Sequence, residues 1–224
     1  MPYTIRPAEQ TDAPFIAWIM LEASRSGLPR GFWDIFLNQE ESKVLEFLTQ
    51  LAQTPTLSIC HYSRFLLAID EKGNPAAGMA CTYGKDGYGE VFQRAFGETV
   101  KHFGWTDEQL KNAWERVKSH FECYPPAEPE NWIIEWVACK LEHRKKGLVD
   151  RLLEACMEKG EKKEAKTFQI CVAIGNTPAQ NAYAKKGFMT EIEKKTPAYE
   201  KTFGHPGLAK LILKKLRESK RCPS

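Results

Sequence analysis

Apolar positions along this chain change rhythm repeatedly, from alternation at two residues to recurrence at three and four, and each change marks an element. Tyr3 to Pro7 reads as a strand. Thr11 and Asp12 then stand where a helix cap belongs, ahead of Phe15, Ile19 and Ala23 at helical spacing. Residues 24–31, rich in Gly and Pro, read as a loop, and Val44, Leu45, Leu48 and Leu51 mark a second helix that Pro55 ends. Phe65 to Ile69 and Ala76 to Tyr83 are apolar runs either side of a turn-rich stretch, the pattern of an antiparallel hairpin.

From Gly84 to Glu130 the period becomes helical again. Phe92, Phe96, Val100 and Phe103 share one face, Leu110, Trp114, Val117 and Phe121 another. Thr106 with Gln109 predicts a capping box, and Tyr124-Pro125-Pro126 a stop. This stretch reads as a helical insertion in one domain spanning residues 1–224. Trp132 to Lys140 is nearly continuous apolar sequence, as in a strand covered on both faces. A helix through Leu148, Leu152, Cys156 and Met157 follows, then a strand over Phe168 to Ile174. Thr177-Pro178 predicts an N-cap and first-turn proline of a short helix ending at Gly187. Phe188 to Lys194 and Leu208 to Leu216 read as final strands, with a fraying basic tail from Lys214 to Arg221.

Composition narrows the function classes. The 224 residues, 42% hydrophobic, can bury a sizeable core. A formal charge of +3 is too near balance to argue for nucleic acid, and Lys194-Lys195 and Lys214-Lys215 read as solvated faces. Seven scattered Cys without a C-x-x-C pair fit reduced thiols, and the five dispersed His have no metal-ligand spacing, so no metal is expected. Met1 to Arg6 lacks a signal-like pattern, and no apolar run approaches the ~20 residues of a membrane span. The expectation is a soluble cytoplasmic protein without a membrane partner.

Chemistry enters at the junction of strand, basic turn and helix from Ile133 to Leu148. The first amides of a helix lack intrahelical partners and attract anions. Arg144, Lys145 and Lys146 add charge, and Gly147 permits close approach. Alone, such a turn is usually just a solvated loop. The next strand and helix supply the context: Asn176, Ala179, Tyr183, Gly187 and Phe188 fill the N-x-x-A-x-x-x-Y-x-x-x-G-F pattern of the GNAT superfamily of N-acetyltransferases, which the chain resembles. Arg144 and Gly147 match that family's [QR]-x-x-G-x-[GA] turn, with Val149 departing at its last position.

The resemblance implies an α/β (α+β) fold: a mixed, mostly antiparallel sheet with a splayed central parallel pair, flanked by helices. It implies acetyl-CoA as co-substrate, its pantetheine paired with backbone at Val137, Ala138 and Cys139. The pyrophosphate would lie on Arg144, Lys145, Lys146, Gly147, Leu148 and Val149, with Asn176 fixing the cofactor arm. Tyr183 takes the place of a general acid facing the CoA sulfur, its alternative being a tyrosine packed against the sheet. Glu135, a lone acid in an apolar strand, is the candidate base, because burial would raise its pKa. Pairing with a core cation, exposure to solvent, or deprotonation through a water chain are its alternatives.

The acceptor is expected to be a primary amine, small molecule or protein, bound by the loop at 24–34, the hairpin near Tyr83 and part of the helical insertion. The insertion's aromatics otherwise read as packing, Cys139 as a core residue, and no histidine carries a role. Oligomeric state is open, a homodimer included. The competing class is a module on the same scaffold that binds acyl-CoA or a protein partner without catalysis, for which Val149 is the best support.

Overall fold

The computed structural model describes residues 3–215. Its strands are β1 (Thr4–Pro7), β2 (Phe65–Ile69), β3 (Pro75–Tyr83), β4 (Trp132–Cys139), β5 (Thr167–Ala173), β6 (Met189–Lys195) and β7 (Gly207–Lys214). Its helices are α1 (Ala13–Arg25), α2 (Phe32–Leu37), α3 (Glu41–Ala52), α4 (Gly84–Gly87), α5 (Glu90–His102), α6 (Asp107–Cys123), α7 (Leu148–Glu161), α8 (Thr177–Lys185) and α9 (Pro197–Phe203). Two of these, α2 and α9, fall where the sequence pattern marked no element. Among the described residues no helix is long and apolar enough to cross a membrane.

Local chemistry explains most boundaries and corrects two. At α6, the Thr106 hydroxyl accepts from Gln109 N–H (3.2 Å) while Gln109 Oε1 accepts from Thr106 N–H (2.8 Å), as the capping-box pattern requires. At α8 the cap is Asn176, not Thr177: Asn176 Oδ1 accepts from Ala179 N–H. Asp12 precedes α1 but does not cap it through its side chain. Its carboxylate instead accepts from Arg6 (2.7 and 3.0 Å) and Glu9 N–H (2.8 Å). Residues 216–221 of the expected fraying tail lie outside the described residues, whereas Lys215 N–H bonds Lys166 O and so extends the β5–β7 edge.

The sheet has the order β1-β2-β3-β4-β5-β7-β6, antiparallel throughout except for β4 and β5. That parallel pair is short: Trp132, Ile133 and Ile134 stand opposite Phe168, Gln169 and Ile170, and the register goes no further. Just past that point β4 bulges. Ala80 faces Glu135 and Gly78 faces Ala138, so three steps on β4 match two on β3, and Trp136 takes a left-handed φ of 54°. A bulge inverts the alternation beyond it. Trp132 and Ile134 pack on one face of the sheet, while Val137 and Cys139 carry that face onward. Trp136 and Ala138 therefore lie on the opposite face.

Two cores cover the sheet. One contains α1, α2, α3, α5, α6 and α9, with Ile16, Trp33, Phe36 and Phe47 at its centre. The other contains α7 and α8, packed through Leu148, Leu152, Cys156 and Tyr183. The helical segment 84–130 is clasped at its ends, where Gly84 N–H bonds Asn131 O and Lys85 N–H bonds Pro129 O (both 3.0 Å). A side chain on Gly84 would collide with the Glu128 carbonyl. The returning strand is tied to the sheet by Gln169, which donates to Pro126 O (2.9 Å) and accepts from Asn131 Nδ2 (3.0 Å). Lys210, 2% exposed, adds ion pairs to Glu128 (3.1 Å) and Glu191 (2.8 Å).

Helix α7 approaches β4 and β5 closely at Gly160. A Cβ there would lie 2.7 Å from the Phe168 ring and 2.9 Å from the Trp132 ring, whose Nε1 donates to Cys156 O (3.0 Å). Gly160→Ala is therefore expected to destabilise the protein by about 1–3 kcal/mol despite alanine's better helix propensity. Urea denaturation of the two proteins checks this, and an equal or higher midpoint for the variant would contradict the packing.

Candidate active site

Where β4 and β5 part, a cavity of about 290 Å³ passes between them. Glu135, Trp136 and Val137 line it from β4, and Cys171, Val172 and Ala173 from β5. Asn176, Ala179 and Tyr183 close it on the α8 side, while α2, α6 and α9 close it on the opposite face. The bulge has a direct consequence here, because it puts the consecutive side chains of Glu135 and Trp136 on one cavity.

Among the described residues, Glu135 meets neither a lysine nor an arginine. Its carboxylate accepts from the Tyr124 hydroxyl at 3.0 and 3.1 Å. Although Glu135 is only half-buried, it lines the cavity, and enclosure by protein raises its pKa from 4.5 to about 8. Tyr124 is half-buried beyond the last turn of α6, and enclosure by protein raises its phenol well above 10. It therefore stays a donor to Glu135. Tyr183 is buried at 5% exposure, and burial with the nearby Glu135 charge pushes its pKa upward. It thus holds its proton across the neutral range. Cys171 is raised by the same two causes, so this thiol beside Glu135 is not a thiolate.

The remaining sequence-predicted residues fall into three places. Val137 and Asn176 share the cavity with Glu135 and Tyr183. Asn176 Oδ1 is engaged as the α8 cap. Ala138 and Cys139 continue β4 past the splay, opposite Gly78 and Ala77 of β3. Arg144, Lys145, Lys146 and Gly147 form an exposed turn outside the cavity, ahead of Leu148 at the start of α7. Lys145 and Gly147 both take positive φ, 60° and 73°, and a Cβ on Gly147 would meet nothing within 4 Å. The turn is braced by Arg144 Nε donating to Cys139 O (3.2 Å) and by His143 Nδ1 against the Tyr3 hydroxyl (2.9 Å). Val149 packs partly into the core of the α7 face, beside buried Leu148. Among the described residues no group of three or more His, Cys, Asp and Glu side chains could hold a metal ion.

Several cavity residues carried no role in the sequence reading. His120, set aside there, is packed among Phe32, Phe121, Tyr124, Tyr199 and Phe203, and burial lowers its pKa to about 4. His205 also lines the cavity. Ser24, Ser26, Gly31, Phe32 and Trp33 line it from the expected loop and α2, whereas Tyr83 does not, since its hydroxyl bonds Lys163 O (2.6 Å). Tyr88 and Phe92 stand there instead, joined by Trp114 and Phe121 of the helical segment.

A family model described as the acetyltransferase (GNAT) family matches residues 30–188. Among solved structures, one described as an acetyltransferase superposes with a TM-score of 0.67 at 20% identity, covering 94% of this chain and 98% of its own. An N-acetyltransferase from Staphylococcus aureus Mu50 gives 0.65 at 17% identity, with 94% and 100% covered. A chain of the NatC complex, bound to a Gag peptide and CoA, gives 0.53 at 15% identity, with 96% and 100% covered. At these identities the likeness shows the fold. No curated protein matches this sequence.

Burial of Glu135 makes stability depend on pH. Between pH 4.5 and about 8 the unfolded chain releases this proton while the folded chain keeps it. The contribution of Glu135 is thus greatest below 4.5 and falls as pH rises to about 8, through a linkage of up to about 5 kcal/mol. Glu135→Gln can still accept from Tyr124 but carries no such linkage. Its melting temperature should rise relative to the parent's from pH 5 to pH 9, and a constant difference across that range would show that Glu135 titrates normally.

Proposed function

The chain belongs to the acetyltransferase (GNAT) family, and from that membership we propose that it moves an acetyl group from acetyl-CoA to a primary amine by direct attack on the thioester. The observation that carries the proposal is the meeting of Glu135 and Tyr183 in one cavity at the splay of β4 and β5.

An ammonium has no lone pair, so attack begins with removal of a proton. Glu135 accepts it, and a carboxylate with a pKa near 8 is a better base toward an alkylammonium than an ordinary one. As the C–N bond forms and the C–S bond breaks, the Tyr183 hydroxyl gives its proton to the departing thiolate, and the second proton of the attacking nitrogen passes through water to restore the phenol. Burial keeps the hydroxyl protonated, so the proton is present when the thiolate leaves. β4 amides beyond Ile134, which lack a β5 partner, supply a donor to the developing oxyanion.

In the same reading the pantetheine adds to the open edge of β4 at Val137, Ala138 and Cys139, as an extra strand would. The pyrophosphate rests on Arg144, Lys145, Lys146, Gly147, Leu148 and Val149, where helix amides and basic side chains converge. Asn176, its Oδ1 committed to the cap, offers its amide N–H groups to the cofactor arm. The NatC complex was solved with CoA, which supports this use of the fold. We take residues 1–224, helical segment included, as one catalytic domain. We assign it to the cytoplasm, a setting that suits the free thiols of the six described cysteines.

Two measurements test the proposal. Acetyl-CoA should raise the melting temperature, and free thiol should appear when amines are added. A shift without turnover across a broad amine panel would leave the binding-module reading in its place, and no shift would remove acetyl-CoA. Tyr183→Phe should lower turnover by about ten- to ten-thousand-fold with acetyl-CoA binding retained. The ascending limb of the pH profile, expected near 8, should move to higher pH in Glu135→Gln.

A further inference from the structure

We propose that the acceptor is a small monoamine with a flat aromatic body bearing a neutral hydrogen-bonding group, and not a polyamine, an amino acid or a polypeptide lysine. This deepens the acetyl-transfer reading above and rests on it.

The charge lining the cavity is the first argument. Among the described residues that line it, Glu135 is the single carboxylate, and no Lys, Arg or Asp accompanies it. One ammonium therefore finds a partner. The second ammonium of a diamine, or the carboxylate of an amino acid, would be desolvated there without a counterion. His120 does not alter the balance, since burial holds it neutral.

Shape and surface are the second. At about 290 Å³, part of which the acetyl end of the cofactor takes in the reading above, the cavity lies at the small end of the ~300–1,000 Å³ typical of ligand pockets, which leaves room for one compact molecule. Its walls on the side away from Tyr183 are rings: Phe32, Trp33, Phe121, Trp136, Tyr199 and Phe203. They are arranged in edge-on and tilted pairs, Phe32 to Phe121 at 6.3 Å, Trp33 to Trp136 at 6.1 Å and Tyr199 to Phe203 at 4.7 Å. A planar arene can join such a set without disturbing it. The wall is also held in place. Asp34 at the start of α2 accepts from Gly31 N–H (2.8 Å) and from Arg25 (2.8 and 3.0 Å), while Arg116 of α6 donates to Ile35 O and Phe36 O.

Unpartnered polar atoms are the third argument. Trp33 Nε1, Tyr88 hydroxyl, His120 Nδ1, Trp136 Nε1 and His205 Nε2 are buried without a hydrogen-bond partner among the described residues, and all five belong to residues that line this cavity. Buried polar groups are ordinarily satisfied, and although Trp136 Nε1 lies against the buried Cys60 thiol, a weak acceptor, the other four point to a ligand that satisfies some of them. Trp33 Nε1 is an indole N–H, which only donates. The ligand must then offer an acceptor atom such as a hydroxyl, ether or carbonyl oxygen.

The test compares 2-(4-hydroxyphenyl)ethylamine, 2-phenylethylamine, spermidine, glutamate and a lysine-containing peptide, each with acetyl-CoA and thiol release as readout. The arylalkylamines should exceed the other three in kcat/KM by at least about a hundredfold, with the hydroxylated one about tenfold above its parent. Binding of the same amines is measured separately by quenching of tryptophan fluorescence. Spermidine, glutamate or the peptide as best acceptor would overturn the acceptor class while acetyl transfer stands. Arylalkylamine binding without any thiol release would keep the class and overturn the transfer reading. Absence of both for the arylalkylamines would overturn the class. In Phe121→Glu, a change at a cavity residue that is 53% exposed and so tolerant in folding, a second carboxylate should raise kcat/KM for spermidine about tenfold relative to 2-phenylethylamine. An unchanged ratio would contradict the charge argument.

Discussion

The parallel pairing of β4 with β5 ends after three residues, and most of what is distinctive in this molecule follows from where it ends. A parallel pair deep in a sheet normally continues for as long as both strands do, because each unpaired amide or carbonyl left in the interior is costly. Here the bulge at Trp136 turns β4 aside while keeping its pairing with β3. The sheet stays whole on that side and opens on the other. The opening joins the two layers of helices, which elsewhere are sealed from each other, so a group on α8 and a group on the opposite face of β4 can share one space.

Keeping such a gap from collapsing requires rigid edges. On the α7 side, Gly160 lets the helix settle against the Trp132 and Phe168 rings and fixes the three paired residues of each strand. On the other side, Gln169 and Lys210 hold the returning segment at 126–131 against β5 and β7. Lys210 is a buried cation whose two carboxylate partners are both partly exposed, so the arrangement is better viewed as a fastening of three chain segments than as a large source of stability.

The sequence disclosed the elements whose periodicity lasts several turns or whose apolar run is unbroken. α3, α5, α6 and α7 were visible for the first reason, β4 and β5 for the second. α2 was not, because Phe32-Trp33-Asp34-Ile35-Phe36-Leu37 is apolar nearly all round and gives no helical stripe. α9 could have been found. Thr196-Pro197 is the same dipeptide that opens α8, and the Thr196 hydroxyl does cap Tyr199 N–H (3.0 Å). Of the site, Glu135 and Tyr183 were recognisable through their strand and motif, whereas Tyr124, His120 and His205 are brought in by tertiary packing and have no local signature. The bulge leaves only a blurred alternation around Glu135 and Trp136, which a register shift and a mere apolar run would produce alike.

Tyr124 sits between the last turn of α6 and Pro125-Pro126, and its hydroxyl reaches Glu135. The helical segment is therefore not an interchangeable attachment. A change in the length or course of this segment reaches the surroundings of Glu135 as well as the wall of the cavity, so the two sides of the space cannot be varied independently.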